Sequence, residues 1–472
     1  MKKFKSIASI LVLMIVFTTT LFAQQNKDIV GIWQGKLNIN GVELRLIFHI
    51  SESESGELSA TLDSPDQGAK DIPLDKVVYE NKKIKITSAA MLATYTGTVD
   101  TDSLKITGTW EQSTMELPLN LEKIDEIPKL NRPQEPKPPY QYFEEEVKFI
   151  NEKDNITLAG TLTYPKEGNN FIAVVLISGS GAQNRDEELF EHKPFKVIAD
   201  YLTLKGIAVL RFDDRGAGKS GGSFSGSTTE DFANDVEAAV DYLNTMDFID
   251  KNKIGLIGHS EGGVIAPLLA SRSDKIDFIV MMAGLGTKGN TLLIDQTKLI
   301  LEKSGMEEKF VNDIVEINSG LYEIVLQGYD NEKAEKEIRE FYKTISKKYS
   351  SDEKTNRGLN EQNIDATIKQ LLSPWFKYFL AYNPETVLSK VKCPILAING
   401  TNDLQVPADK NLEGIKSAVE KGGNKNLTIK KFEGLNHLFQ TSESGLPSEY
   451  GKIEETISVG VLEYLGEWIG EL

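Results

Sequence analysis

The sequence predicts an α/β architecture: a mostly parallel central sheet between helices, a helical cap inserted into it, and a small antiparallel β domain ahead of it. Three observations predict this. From about residue 143 onward, short continuous apolar runs such as Phe171–Ile177 alternate with helical patterns, as strands buried on both faces do. Between about 287 and 390 that alternation stops, and helices with charged faces take its place. Before residue 123 the runs are instead short and alternating, with turn residues between them.

The chain of 472 residues is too long for one ordinary domain, so two or three are expected. Hydrophobic residues make up 40% and charged residues 26%, the balance of a globular protein. The net charge of -17, without a dense Lys/Arg cluster, argues against nucleic acid and against an anionic membrane surface as partners. With Cys393 as the only cysteine no intramolecular disulfide can form, and its place at the start of an apolar run suits a small core residue.

Residues 1–23 are expected to be a signal peptide. Lys2, Lys3 and Lys5 give a basic start, Ile7–Phe17 is mostly apolar, and Leu21-Phe22-Ala23 forms a cleavage site before Gln24. The apolar run is short for a membrane anchor, which is the alternative. No cysteine follows for lipid attachment. The expected mature protein is exported, periplasmic or secreted, with no membrane span after processing.

Residues 27–123 form the expected antiparallel β domain, a small barrel or sandwich. Its strands are Val42–Ile50, Leu58–Leu62, Lys83–Thr87, Ala93–Val99 and Leu104–Trp110. In the first, Leu44, Leu46 and Phe48 share one face. Asn40-Gly41, Glu54-Ser55-Gly56, Asp63-Ser64-Pro65 and residues 100–103 supply turns. Trp33 and Trp110 are placed to share its core. His49 has no neighbour at metal-ligand spacing and reads as a satisfied strand residue. Residues 124–142 carry Pro128, Pro133, Pro136, Pro138 and Pro139. Proline this dense blocks helix and sheet alike, which predicts an extended, semi-rigid spacer between domains.

The second domain, 143–472, opens with strands at 145–150, 157–164 and Phe171–Ile177. The glycine-rich loop Ser178-Gly179-Ser180-Gly181 follows, running on to Asp186. No G-K-[ST] completes it as a phosphate cradle. Arg185 and Asp186 are expected to brace this loop, with pocket lining as the alternative. A helix over Phe195–Lys205 and a strand over Ile207–Phe212 lead to Asp213-Asp214-Arg215-Gly216-Ala217-Gly218-Lys219-Ser220. The first glycine of a Walker motif would fall at Arg211, so a loop held by Asp213 and Arg215 is expected instead. Thr228 or Thr229 caps a helix whose apolar face is Phe232, Val236, Ala239 and Leu243. Strands follow at Ile254–Ile257 and Ile276–Met281, then the cap over about 287–390. In the cap, Trp375, Phe376 and Phe379 either line an acyl or aryl pocket or pack its helices together. Pro394–Ile398 and Leu427–Phe432 resume the sheet, and Glu454–Ile469 closes the chain.

The chemistry gathers at Gly258-His259-Ser260-Glu261-Gly262. A serine hydroxyl is a weak nucleophile unless a sharp strand-to-helix turn holds it out towards a base. Glycines flank Ser260 because side chains there would collide with neighbouring backbone, and the following helix aims its N–H groups at the reacting centre. The oxygen that turns negative during acyl transfer needs N–H donors already in place. Those expected are Glu261, after the nucleophile, and Ser180 of the glycine loop, with Gly181 as the alternative. A general base must titrate near neutrality, and four histidines compete. His49 and His192 stand in less suitable places, and His259 is expected to face away from the turn. His437, after the last strand, is left. Asp403 likewise follows a strand and is expected to orient His437, with Asp409 as the alternative.

The order Ser260, Asp403, His437 resembles the α/β-hydrolase superfamily. More narrowly the chain is similar to bacterial exported carboxylesterases and the serine aminopeptidase-like hydrolases beside them. The resemblance covers about 145–472 and rests on Ser178-Gly179-Ser180-Gly181, the run from Arg211 to Ser220, Gly258–Gly263, Ser373–Phe379, Asp403–Pro407 and Asn436-His437. It implies an α/β-hydrolase fold and hydrolysis of small-molecule carboxylic esters through an acyl-enzyme, without metal or cofactor. Ser178 departs from the histidine that many members carry before the loop glycine, which leaves the second oxyanion donor open between Ser180 and Gly181. A peptidase is the nearest competing expectation, and a catalytically idle binding protein on the same fold is the other. The sequence does not speak to oligomeric state or to the role of the β domain.

Overall fold

The computed structural model describes residue 26 and residues 28–472 other than 40, 41, 68, 90, 113, 114, 128 and 129. The segment 1–23, the Asn40-Gly41 turn and Pro128 lie outside the described residues. The chain divides into two compact units, one of residues 1–130 with 189–191 and one of residues 131–188 with 192–472.

Among the described residues of the first unit, ten strands form one antiparallel sheet: β1 Gly31–Ile39, β2 Val42–Glu52, β3 Leu58–Ser64, β4 Ala69–Pro73, β5 Lys76–Glu80, β6 Lys83–Ser88, β7 Ala93–Val99, β8 Lys105–Gln112, β9 Met115–Pro118 and β10 Leu121–Ile124. Their order is β4-β3-β2-β1-β10-β8-β7-β6-β5, with β9 pairing β8. The strands pair in one continuous path, and side chains from along that path gather in one core. Alternation explains which residues point inward: Val77, Tyr79, Ile84 and Ile86 are buried between exposed neighbours. Trp33 and Trp110 do share that core. Strands β4, β9 and β10 are only four or five residues long, too short to display a period in the sequence. His49 is satisfied by Asp63, Nε2 to Oδ2 at 2.8 Å.

The second unit is an eight-stranded sheet: β11 Tyr142–Asn151, β12 Ile156–Pro165, β13 Phe171–Ile177, β14 Ala208–Phe212, β15 Ile249–His259, β16 Phe278–Met282, β17 Ile395–Gly400 and β18 Leu427–Phe432. The order is β11-β12-β14-β13-β15-β16-β17-β18. β11 and β12 are antiparallel to each other, and β12 to β14; from β14 across to β18 every pairing is parallel. Successive side chains of the central strands serve opposite cores. Ala173, Val175 and Ile177 of β13 face one and Val174 and Leu176 the other. This is why these strands read as unbroken apolar runs.

Helices cover both faces. α1 Pro194–Leu204 packs through Phe195, Ile198 and Leu202 on one side, and α2 Thr229–Asn244 and α3 Gly262–Ala270 pack on the other. Each fully buried aliphatic side chain in these layers is worth about 1.5–3 kcal/mol. The cap comprises α4 Gly289–Lys303, α5 Glu308–Leu326, α6 Asn331–Ile345, α7 Ser351–Asn356, α8 Glu361–Leu371, α9 Pro374–Ala381 and α10 Pro384–Leu388. It leaves the sheet after β16 and returns to it at β17. α11 Ala408–Lys421 then joins the face of α2 and α3, and α12 Val459–Gly470 joins that of α1. At the start of α2 the Asp231 carboxylate accepts the N–H and the hydroxyl of Thr228, so Thr228 is the cap residue.

The proline-rich stretch is not a free spacer over its second half. Arg132 donates to the carbonyls of Gly451 and Ile453 at 3.0 Å each, and Gln134 bonds the backbone of Thr456 and Ile457. Proline removes donors from the chain, but the polar side chains between the prolines still supply them. Those side chains pin residues 131–142 to the unit they enter.

Candidate active site

The turn after β15 carries the candidate nucleophile, Ser260. Ser260 has φ +54°, a left-handed conformation that costs a non-glycine residue about 1–3 kcal/mol. Its surroundings impose it: Ser260 N–H is held by the Met282 carbonyl at 2.9 Å. A Cβ on Gly258 would sit 1.9 Å from the Gly262 carbonyl oxygen, and one on Gly262 would sit 2.1 Å from that of Ile177. Only glycine fits either place. The Ser260 side chain is left half-buried and, among the described residues, its Oγ has no hydrogen-bond partner.

Asp403 and His437 meet. Asp403 lies in the loop after β17, where Gln405 and Val406 donate their N–H groups to its Oδ1, each at 2.8 Å. Its Oδ2 receives His437 Nδ1 at 2.8 Å, and the Asp403 side chain is fully buried. The loop after β18 is shaped by Asn436, whose side-chain oxygen takes the N–H groups of Leu438 and Gln440 at 3.0 Å each. An imidazole anchored this way keeps Nε2 free to exchange a proton. Ser260 Oγ makes no hydrogen bond to His437 here, and such contacts commonly tighten only when substrate is bound. The alternative carboxylate, Asp409, points away: its side chain is 85% exposed and pairs with Lys431.

His259 corrects the sequence reading. It does not face away from the site. Its Nδ1 lies 2.9 Å from Glu187 Oε1, its Nε2 lies 2.9 Å from the His437 carbonyl oxygen, and the two imidazole rings are 4.9 Å apart. His192 bonds Thr456 and the Tyr450 carbonyl, and burial, helped by Arg132, lowers its pKa to about 4.

The glycine loop is staked at three points. Asp214 accepts the Ser178 hydroxyl at 2.8 Å and the Gln183 N–H at 2.9 Å, and Glu187 accepts the Gly179 N–H at 2.6 Å. A Cβ on Gly179 would lie 3.3 Å from Ser260 Cβ, so the loop passes directly over the serine. Among the described residues, the N–H groups of Ser180, Gly181 and Glu261 have no protein acceptor. Arg185 forks onto Asp213 and Asp186 bonds Arg211, both bracing this loop from behind. Arg215 is spent likewise on Asp154 and Asp235. Burial would raise the Asp213 carboxyl, and the Arg185 fork with backbone donors outweighs it, leaving its pKa lowered.

Two other carboxyls stay raised. Burial, with the charges of Glu261 and Glu187 nearby, pushes Asp214 up to about 8. Burial also raises Glu261, although Thr229, Trp375 and Ser180 donate to it. These carboxyls border a narrow cavity of about 10 Å³ beside Ser178, Gly179 and Gly181, room for about one water and no more.

The aromatic cap residues do not offer a pocket surface as a set. Phe376 packs on Tyr322 in the cap core, and Phe379 packs with Val264, Leu285, Leu292 and Val406. Trp375 stacks on Phe379 and gives its indole N–H to Glu261 Oε1 at 2.8 Å. Packing and a polar latch outcompete pocket lining here. Glu187, Asp214 and the side chain of Glu261 were not found from sequence. Their partners lie in separate elements, and nothing in local spacing announces them. Among the described residues, no cluster of three or more His, Cys, Asp or Glu side chains is arranged to hold a metal ion.

A family model described as serine aminopeptidase, S33, matches residues 191–443. Among curated proteins, esterase EstD of Thermotoga maritima is 28% identical over 313 residues, 66% of this chain; the chain spans 65% of that relative's length. Among solved structures, the Pyrococcus furiosus esterase Pf2001 is similar at 16% identity, covering 70% of this chain and 93% of that one with a TM-score of 0.41. Est1E of Butyrivibrio proteoclasticus, solved with ferulic acid, is similar at 18% identity, covering 69% and 97% with a TM-score of 0.38.

Proposed function

The chain belongs to the serine aminopeptidase, S33 family of α/β-hydrolases, and we propose that it cleaves carboxylic esters of small or medium acyl groups through an acyl-enzyme. The observation that carries this is the buried Asp403–His437 pair, its Nε2 uncommitted, together with a serine held at positive φ on the turn after β15. Ser260 Oγ attacks the ester carbonyl while His437 Nε2 takes its proton. The carbonyl oxygen, now negative, is met by the N–H of Glu261 and that of Ser180 or Gly181. Collapse breaks the ester C–O bond, and His437 returns the proton to the departing alcohol. Water, deprotonated by His437, then releases the acid and restores Ser260. Asp403 holds the imidazole with Nδ1 protonated and stabilises the imidazolium. The name of the curated relative, an esterase, supports ester over amide bonds.

The family's own description favours a second reading, an aminopeptidase-like amidase, since the same groups open amides. The deciding experiment sets p-nitrophenyl acetate and butyrate against aminoacyl-p-nitroanilides, with Ser260→Ala as control. Faster turnover of anilides would replace the first reading by the second. A fluorophosphonate probe should label wild type and not Ser260→Ala; a wild type that stays unlabelled would leave an idle hydrolase fold. We also propose export after cleavage between Ala23 and Gln24, which the N-terminal sequence of the mature protein checks.

A further inference from the structure

We infer that Glu187 and His259 form a second carboxylate–imidazole pair that sets the position of the general base relative to the oxyanion loop. The inference rests on the assignment of Ser260, His437 and Asp403 proposed above. Both ring nitrogens of His259 face acceptors. Nε2 lies 2.9 Å from the main-chain oxygen of His437, which can only accept, so Nε2 carries hydrogen. Nδ1 lies 2.9 Å from Glu187 Oε1, and the Gly179 N–H donates to that same oxygen at 2.6 Å. A backbone N–H donated to a carboxyl favours its ionised form, which places the proton shared between Oε1 and Nδ1 on the ring. His259 is therefore an imidazolium paired to Glu187. Burial opposes that charge and Glu187 outweighs it, leaving the His259 pKa raised.

The pair spans the site. At one end Glu187 fastens the glycine loop through Gly179; at the other His259 fastens the segment that carries the His437 ring. The charged groups facing His259 are Glu187, Asp403 and the His437 ring, with Asp214 beyond Glu187. This gives His259, the residue before the nucleophile, a role besides packing. Asp403 fixes the tautomer and azimuth of the base, whereas Glu187–His259 fixes where its backbone stands. His259 is also a fixed cation 4.9 Å from the base, so it penalises a second positive charge there. Both residues are positioning residues; neither touches the reacting atoms.

The test uses the full chain as wild type, His259→Gln, Glu187→Gln, Glu187→Asp, the double variant His259→Gln/Glu187→Gln, and Ser260→Ala, with p-nitrophenyl butyrate across pH. Misplacing the base by about 1 Å lowers kcat about 10²-fold while KM stays within about threefold. The acid limb of kcat/KM moves upward by about one unit in Glu187→Gln, because the neighbouring imidazolium is lost. The double variant is no worse than the poorer single, since the two act as one unit. Glu187→Asp recovers part of kcat. If His259→Gln does not fold, Glu187→Gln decides alone, since it exchanges one oxygen for an NH2 group and keeps the shape. Unchanged kcat in the variants overturns the inference. So does a loss of kcat with the acid limb unmoved and the two substitutions additive, which marks a merely structural role. Ser260→Ala separates the two levels: full hydrolysis by that variant removes the underlying assignment, whereas inactive Ser260→Ala beside wild-type-like Glu187→Gln removes only the positioning pair.

Discussion

Replacing Asp403 by asparagine tests the site where the structure makes the strongest commitment. Asp403 Oδ1 receives two backbone N–H groups, from Gln405 and Val406, at 2.8 Å each. An asparagine must therefore keep its oxygen on that side, because turning the amide over would set NH2 against two donors. Its NH2 then faces His437 Nδ1, where the carboxylate oxygen stood at 2.8 Å. Only the tautomer with Nδ1 bare and Nε2 protonated accepts that bond, and it cannot take a proton from Ser260. The expected loss is about 10⁴-fold in kcat, or about 5.5 kcal/mol of barrier. Stability changes little, since the amide retains both backbone bonds. Stopped or steady-state hydrolysis of p-nitrophenyl esters reads the rate, and chemical denaturation confirms that the fold survives. Asp409→Asn is the matched control and should leave kcat as it is, because its carboxylate is exposed and bound to Lys431. A folded Asp403→Asn variant within about tenfold of wild type would refute the tautomer argument.

Two further substitutions probe the buried carboxyls. Asp214, with a pKa raised to about 8, is protonated in the folded protein at neutral pH and ionised in the unfolded chain above about 4. The stability it contributes is full below about pH 4 and is lost progressively as pH rises to about 8. Asp214→Asn should flatten that part of the melting temperature profile; an unchanged slope between pH 5 and 8 would show that Asp214 is ionised when folded. Trp375→Phe removes the indole N–H from Glu261 while leaving an aromatic ring against Phe379. Taking one donor from a buried carboxyl oxygen costs about 1–3 kcal/mol where it leaves that oxygen short of a partner, so denaturation should show a loss of that order. Equal stability would mean that Thr229 and Ser180 suffice to hold Glu261.

Much of this was legible in one dimension because its causes are local. A strand buried on both faces has to be apolar throughout, so Phe171–Ile177 declared itself. A serine on a tight strand-to-helix turn has to be flanked by glycine, and Gly258 and Gly262 meet backbone oxygens at 1.9 and 2.1 Å wherever a Cβ is added. Ser260, Asp403 and His437 each follow a parallel strand, and strand direction alone puts all three at one end of the sheet. What the chain alone could not decide is which polar groups face one another once those ends converge. Glu187 reaches His259 across 72 residues, and Trp375 reaches Glu261 across 114. Neither pairing leaves a trace in spacing, because both depend on how the cap and the glycine loop settle over the elbow. The same holds for Asp403 against Asp409. Six residues apart in a single loop and helix, they look alike in sequence, and only packing buries one against His437 and turns the other to water.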